Sequence, residues 1–198
     1  MKNRPVGRPS IFKKEAAKKI ALDLFWMHGF EETSLTNLTF NMGINRSSFF
    51  RTFESKAALF ESCVTDYINE HLSFIPAVLA KENIKDCVED FFKASIHLMT
   101  AHQPARGCLI VQGVLSCAED NQAISEELKE ARIRIENMLR KRLQQAQVKA
   151  EIKAGQSAVD ITKMLMTLYC GLSIQAASGT SQKELESATK LVIHAINF

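Results

Sequence analysis

The chain has 198 residues, of which 46% are hydrophobic and 24% charged, and its formal net charge is +3. This composition is typical of a globular protein in water and argues against a disordered chain. No apolar run reaches the roughly 18 residues that a membrane-spanning helix needs. The low number of turn-forming residues, 8 Gly and 4 Pro, argues against a turn-rich sandwich or barrel. Five separated cysteines and a polar amino end indicate a cytoplasmic protein rather than a secreted one.

The charge is distributed unevenly along the chain. Residues 1–56 contain ten Lys or Arg and five Asp or Glu, a net charge of +5, whereas residues 57–198 contain 15 basic and 17 acidic residues, a net charge of −2. A basic amino end on a mildly acidic body indicates a polyanionic partner for that end.

Apolar residues spaced three and four apart predict four helices in the first part of the chain. Glycines end two of them, Gly29 after the first and Gly43 after the second. Ser34, Asn45 and Ser55 are predicted as the N-caps of the second, third and fourth helices. These helices span residues 10–28, 35–42, 46–53, and 56 onward until a proline at 76 interrupts the pattern.

The rest of the chain is also predicted to be helical. Helices are expected over residues 84–101, 108–118, 125–150, 160–177 and 181–196, with a turn over 102–107. No segment alternates with period two, so no sheet is expected. The predicted fold class is therefore all-α, with a basic arm (1–9), a small three-helix domain (10–55) and a larger helical domain (56–198).

The second and third helices have the pattern of a helix-turn-helix, joined at Gly43-Ile44-Asn45. Gly43 can adopt the left-handed conformation that ends a helix, and Ile44 is expected to lie buried between the two helices. Asn45 caps the next helix, which Phe49 and Phe53 anchor on the domain core. The start of that helix is then exposed, and the helix is short enough to enter a DNA major groove.

A specific set of residues accompanies this motif: Gly29-Phe30, Ser34-Leu35 with Leu38, Gly43-Ile44-Asn45, Phe49-Phe50, Phe53-Glu54-Ser55-Lys56 and Leu59. In this set the sequence resembles the TetR family of bacterial transcriptional regulators over residues 10–60. The resemblance implies an amino-terminal DNA-binding domain and a carboxy-terminal domain for ligand sensing and dimerisation. It also implies a homodimer that a small molecule releases from a palindromic double-stranded operator. The sequence has no P-loop, no dinucleotide-binding glycine pattern and no G-x-S-x-G motif, so neither enzymatic activity nor a cofactor is expected.

Two groups of DNA contacts are expected from reach and chemistry. The candidates for base edges are Arg46, Ser47 and Ser48. The candidates for phosphates lie at the starts of the second and fourth helices and along the third: Ser34, Thr36, Asn37, Arg51 and Lys56.

Several positions in this domain have more than one interpretation. Lys56 is either a phosphate contact or a solvated lysine. Phe50 stands where the family usually has a phosphate-touching tyrosine, and either packs in the core or contacts a base by stacking or through a thymine methyl group. Two compatible expectations apply to the flexible arm: disorder in the free protein, and Arg4 and Arg8 in the minor groove beside the site on DNA.

The carboxy-terminal domain carries the expected dimer interface in its last two helices, which are rich in apolar residues. The competing interpretation is that these residues are ordinary intramolecular core. Its effector is expected to be an apolar or aromatic small molecule. The candidate pocket residues are aromatic, polar-tipped or sulfur-bearing, although most such side chains are ordinary core: Phe91, Phe92, His97, Met138, Met164 and Tyr169.

Cys108 suggests an alternative function. It follows Gly107 at a predicted helix start, where the helix dipole and Arg106 favour a thiolate, as in an oxidant- or electrophile-sensing regulator. The competing interpretation is an inert core thiol, because the segment is very apolar. A helical thiol enzyme and an adaptor that has lost DNA binding are further alternatives. The histidines lack H-x-x-x-H spacing, so no metal site is predicted.

Overall fold

A computed structural model describes residues 10–116, 121–196 and 198. This part of the chain is all-helical, as predicted, and contains no strand. The helices are α1 (Ser10–Glu32), α2 (Leu35–Met42), α3 (Arg46–Phe53), α4 (Lys56–His71), α5 (Phe74–Leu79), α6 (Ile84–Thr100), α7 (Leu109–Ser116), α8 (Gln122–Val148), α9 (Ala158–Ala177) and α10 (Gln182–Ala195). The predicted arm, with Arg4 and Arg8, lies outside the described residues.

The predicted helix starts around the turn motif are confirmed by their caps. The side chains of Ser34, Asn45 and Ser55 accept hydrogen bonds from backbone N–H groups three residues later, at 3.1, 2.8 and 3.0 Å. Such caps satisfy donors that a helix start otherwise leaves without partners. Gly29 has a φ of 74°, so the regular part of α1 ends where predicted, although one further turn follows to Glu32.

The prediction for the region around Pro76 was wrong. Helix α4 ends at His71, and Pro76 does not interrupt it but is the third residue of a separate helix, α5. The first turn of a helix has no internal acceptor for its N–H groups, so a proline there loses no hydrogen bond. Helix α8 also begins earlier than expected, at Gln122 instead of residue 125.

Aromatic side chains of α1 and α4 form a buried cluster. Phe25 and Phe60 meet edge to face with their ring centroids 5.0 Å apart, and Phe30 lies 5.2 Å from Phe60. All three are buried, and burial of one such side chain contributes about 2–3 kcal/mol. Helix α1 is thereby fixed across α4, while α8 packs along α9, and α6 lies against α9 and α10.

Helix α1 is also joined to the loop that precedes α7. The indole N–H of Trp26 donates to the carbonyl of Gly107 at 3.0 Å, and Arg106 pairs with Asp23 at 2.7 Å. Gly107 has a φ of 68°, and a Cβ there would lie 2.5 Å from the carbonyl oxygen of Ser173, so glycine is required. No described helix is long and apolar enough to traverse a bilayer.

Candidate nucleic-acid interface

The turn between α2 and α3 has the geometry expected from Gly43-Ile44-Asn45. Gly43 is left-handed, with a φ of 65°, and its N–H donates to the carbonyl of Phe40 at 3.1 Å. The N–H of Ile44 donates to the carbonyl of Thr39 at 3.1 Å, and the Ile44 side chain is half-buried against the core. The last carbonyls of α2 are therefore satisfied, and α3 starts in a new direction.

Helix α3 has one buried and one exposed face. Phe49 and Phe53 are buried and fix the helix to the domain core. Arg46, Ser47 and Arg51 are exposed. The exposed face of α3 can therefore present two guanidinium groups and a hydroxyl to a partner without unfolding the domain.

Ser48, the third predicted base contact, has a different environment from Arg46 and Ser47. It is half-buried, its backbone N–H is held by the Asn45 cap, and its carbonyl accepts from the Thr52 hydroxyl at 2.8 Å. Ser48 thus lies at the edge of the exposed face rather than on it.

The start of α2 provides a second exposed polar group beside the turn motif. Ser34, Thr36 and Asn37 are all exposed, and the Ser34 hydroxyl oxygen accepts from the Asn37 N–H. The positive end of the α2 dipole lies at the same place, which favours an anion there.

Lys56 has partners within the protein. Its ammonium donates to the carbonyls of Phe30 at 2.8 Å and Thr33 at 3.2 Å, and lies 4.1 Å from the centroid of the Phe30 ring. Burial lowers the pKa of Lys56, against the opposing effect of the Glu31 carboxylate. This geometry favours a role in joining α4 to the end of α1 over a phosphate contact.

Two phenylalanines are unexpectedly exposed in this region. The side chain of Phe40 in α2 is 83% exposed and that of Phe50 in α3 is 49% exposed. Phe50 is therefore not simply core. The sequence offered a signal for Phe40, because it lies one helical turn after Thr36 and away from Leu35 and Leu38, which pack inward.

The predicted effector-pocket residues do not form one pocket. Phe91 and Tyr169 are core, with their ring centroids 5.7 Å apart, and His97 is exposed. The other three line three different grooves: Phe92 between α6 and α10, Met164 between α9 and α10, and Met138 beside α4 and α5. The prediction grouped them by residue type, whereas helix packing directs them to different sides.

Of these three grooves, the one that contains Met138 has the most apolar lining. We call it the α4–α8 cleft, and its volume is about 400 Å³, within the usual range for small-molecule sites. Arg134 is its one charged lining residue. The remaining lining residues are Ile68, Asn69, Leu72, Ser73, Ile75, Pro76, Ile110, Ala131, Ile135 and Met138.

Cys108 is buried and lies just before α7. Its backbone N–H donates to the Ser173 hydroxyl oxygen at 2.8 Å, and the Tyr169 hydroxyl donates to its sulfur at 3.3 Å. Burial raises the pKa of both Tyr169 and the neighbouring Tyr67. A thiol enclosed in this way is closed to oxidants, so the structure favours the core interpretation. The described residues contain no cluster of metal-ligating side chains.

Comparison with known proteins identifies the family. The profile of "Bacterial regulatory proteins, tetR family" matches residues 19–63, and that of "Tetracyclin repressor-like, C-terminal domain" matches residues 85–192. The chain is 28% identical to the HTH-type transcriptional repressor ComR of Escherichia coli, over 90% of this chain and 86% of ComR. It is 25% identical to the HTH-type transcriptional repressor BdcR of the same organism, over 98% of this chain and 94% of BdcR.

A solved structure shows the same fold in a DNA complex. A cysteine mutant of the TetR family regulator CifR, bound to 26-base-pair double-stranded operator DNA, superposes with a TM-score of 0.87 at 25% identity, covering 95% of this chain and 99% of CifR. Together with the two profile matches, this similarity decides the class of protein. The chain belongs to the TetR family of bacterial regulatory proteins and is a DNA-binding transcriptional regulator, not an enzyme.

Proposed function

We propose that the protein is a repressor that binds a palindromic operator as a homodimer and leaves it when an apolar small molecule enters the α4–α8 cleft. The observation that carries the DNA-binding part is the exposed face of α3, with Arg46, Ser47 and Arg51, on a helix that Phe49 and Phe53 anchor. An anchored helix of eight residues with exposed guanidinium groups suits a major groove.

The exposed residues divide by chemistry into base and phosphate contacts. Arg46 can donate two parallel hydrogen bonds to a guanine, and Ser47 can pair with several bases, with Ser48 beside them at the edge of the face. Arg51 and the exposed group at the start of α2 (Ser34, Thr36 and Asn37) are assigned to phosphates. Lys56 supports this surface indirectly, because its ammonium joins α4 to the end of α1.

The proposed dimer forms through α9 and α10. Apolar side chains are exposed on both helices: Met164 and Ile174 on α9 are 41% and 43% exposed, and Leu191 on α10 is 74% exposed. Gly171 lies between Met164 and Ile174 on α9, and a Cβ added there would meet no atom within 4 Å, so another helix can approach closely. Two recognition helices about 34–36 Å apart need such a fixed spacer to meet successive major grooves.

The proposed release depends on α4. This helix begins directly after the DNA-binding motif at Lys56, and its far end lines the α4–α8 cleft through Ile68 and Asn69. A ligand that occupies the cleft and favours another position of α4 changes the placement of α3 on DNA. It weakens operator binding only by its differential affinity for the two conformations.

The test starts from a duplex that the protein selects from a random library. Compounds that raise the melting temperature are then added to the complex, and the operator Kd is measured by fluorescence anisotropy. Met138→Trp, which fills the cleft, is expected to abolish compound binding while the operator Kd stays unchanged. Val148→Trp adds the same ring at a position on α8 that is 89% exposed, and serves as the control. Compounds that bind Met138→Trp as well as the wild type contradict the proposed cleft.

A further inference from the structure

An aromatic ring lies at the centre of the exposed face of α3. Phe50 follows Arg46 by four residues and Ser47 by three, so these side chains share one side of the helix with it, and Arg51 is adjacent. The Phe50 ring stands edge to face against Phe49, with the centroids 5.6 Å apart. Phe49 is fully buried and supports the Phe50 ring by packing against it, while Phe50 itself is 49% exposed. The recognition surface is thus a fixed apolar patch bordered by charged and polar groups.

The chemistry of a phenyl ring restricts what it can recognise in a major groove. It has no donor or acceptor, so it can read neither the hydrogen-bonding pattern of a base edge nor a phosphate oxygen. The distinctive apolar group in the groove is the 5-methyl group of thymine, and cytosine has only hydrogen at that position. Contact with this methyl removes apolar surface of both partners from water.

We propose that Phe50 is a specificity-determining residue that contacts the 5-methyl group of one thymine in each half-site of the operator. This inference rests on the proposed function, in which α3 enters the major groove. The thymine lies beside the base read by Arg46, because the two side chains are one helical turn apart. Phe50 and Arg46 then specify neighbouring positions by different chemistry, one by apolar contact and one by hydrogen bonds.

The size of the effect follows from the burial of one methyl group. Replacing the thymine by deoxyuridine removes only that group and leaves base pairing intact. The loss of one buried methyl corresponds to a decrease in affinity of about fourfold per half-site, or about fifteenfold when both half-sites are changed.

The test uses the full-length protein and the selected operator, with each thymine replaced in turn by deoxyuridine in both half-sites. At one position the wild-type Kd is expected to rise about fifteenfold. In Phe50→Ala the same replacement is expected to change the Kd less than about twofold, since the methyl has lost its partner. Phe40→Ala, which removes an exposed phenylalanine on α2, is the matched control and is expected to keep the full methyl dependence.

Each other outcome has a defined meaning. If no deoxyuridine replacement weakens the wild type, or if the penalty persists in Phe50→Ala, the inference is overturned. Phe50→Leu, which keeps an apolar side chain, is measured as well in case Phe50→Ala binds too weakly, and circular dichroism reports whether each variant is folded. If the wild type selects no duplex and binds none in a salt-dependent way, it is the proposed function that fails instead.

Discussion

Replacing Lys56 by methionine removes an ammonium that joins two helices while keeping a side chain of similar length. The wild-type ammonium donates to the carbonyls of Phe30 and Thr33 at 2.8 and 3.2 Å, at the end of α1. Hydrogen bonds from a charged donor contribute about 1.5–3 kcal/mol, and the contact with the Phe30 ring about 0.5–1 kcal/mol at a partly exposed site. Because Lys56 is only half-buried, we expect a total loss of about 2 kcal/mol in the free energy of unfolding.

Thermal unfolding followed by circular dichroism measures this loss. For a chain of this size, 2 kcal/mol corresponds to a decrease in Tm of about 4–8 °C. The second readout is the slope of log Kd for the operator against log salt concentration, which changes by about 1 when one phosphate contact is lost. We expect a lower Tm with an unchanged slope for Lys56→Met, and neither change for the exposed control Lys19→Met. An unchanged Tm with a slope reduced by about 2, one phosphate contact for each protomer of the dimer, would refute this reasoning and place Lys56 on a phosphate.

Three further predictions concern the dimer, pH and backbone strain. Leu191→Glu is expected to give a folded monomer in analytical ultracentrifugation and to weaken operator binding about 100-fold, and a persistent dimer would contradict the proposed interface. The pKa of His102 is lowered by burial, by the positive charge of Arg106 and by His71, and these effects exceed the opposing effect of Asp23. As the pH falls, His102 is therefore protonated in the unfolded chain before it is protonated in the folded protein, so the urea midpoint is expected to decrease below about pH 6.5. The decrease is expected to be smaller in His102→Gln, and an equal dependence of the midpoint on pH in the two proteins would show that His102 is not its cause. Glu54 has a φ of 63°, so Glu54→Gly is expected to raise the free energy of unfolding by about 1 kcal/mol, and a lower Tm would show that the strain is absent.

Features that depend on neighbouring residues in the chain were predicted well. The caps at Ser34, Asn45 and Ser55 and the left-handed Gly43 are local, because each is decided by a side chain or by φ within one turn of the helix end. The buried pair Phe49 and Phe53 followed from helical spacing alone. The helix-turn-helix and its exposed face could therefore be predicted from the sequence.

Features that depend on packing between distant segments were not predicted. The ammonium of Lys56 meets carbonyls 23 and 26 residues earlier in the chain, and periodicity cannot identify such a partner. The α4–α8 cleft likewise needs α5, and periodicity does not predict this helix because a proline within an apolar pattern indicates a helix break as well as a first-turn residue. The dispersal of Phe92, Met138 and Met164 over three grooves depends on how the helices rotate against each other.

The central claim is that the exposed face of α3 reads the operator. Its most direct test compares the operator Kd of the wild type with that of Arg46→Ala, and with that of Arg140→Ala as a control on α8, away from α2 and α3. Loss of an arginine that binds a guanine through two hydrogen bonds is expected to weaken binding at least about tenfold and to relax the base preference at that one position. Arg140→Ala is expected to bind like the wild type. An Arg46→Ala protein with unchanged affinity and an unchanged footprint would contradict the claim.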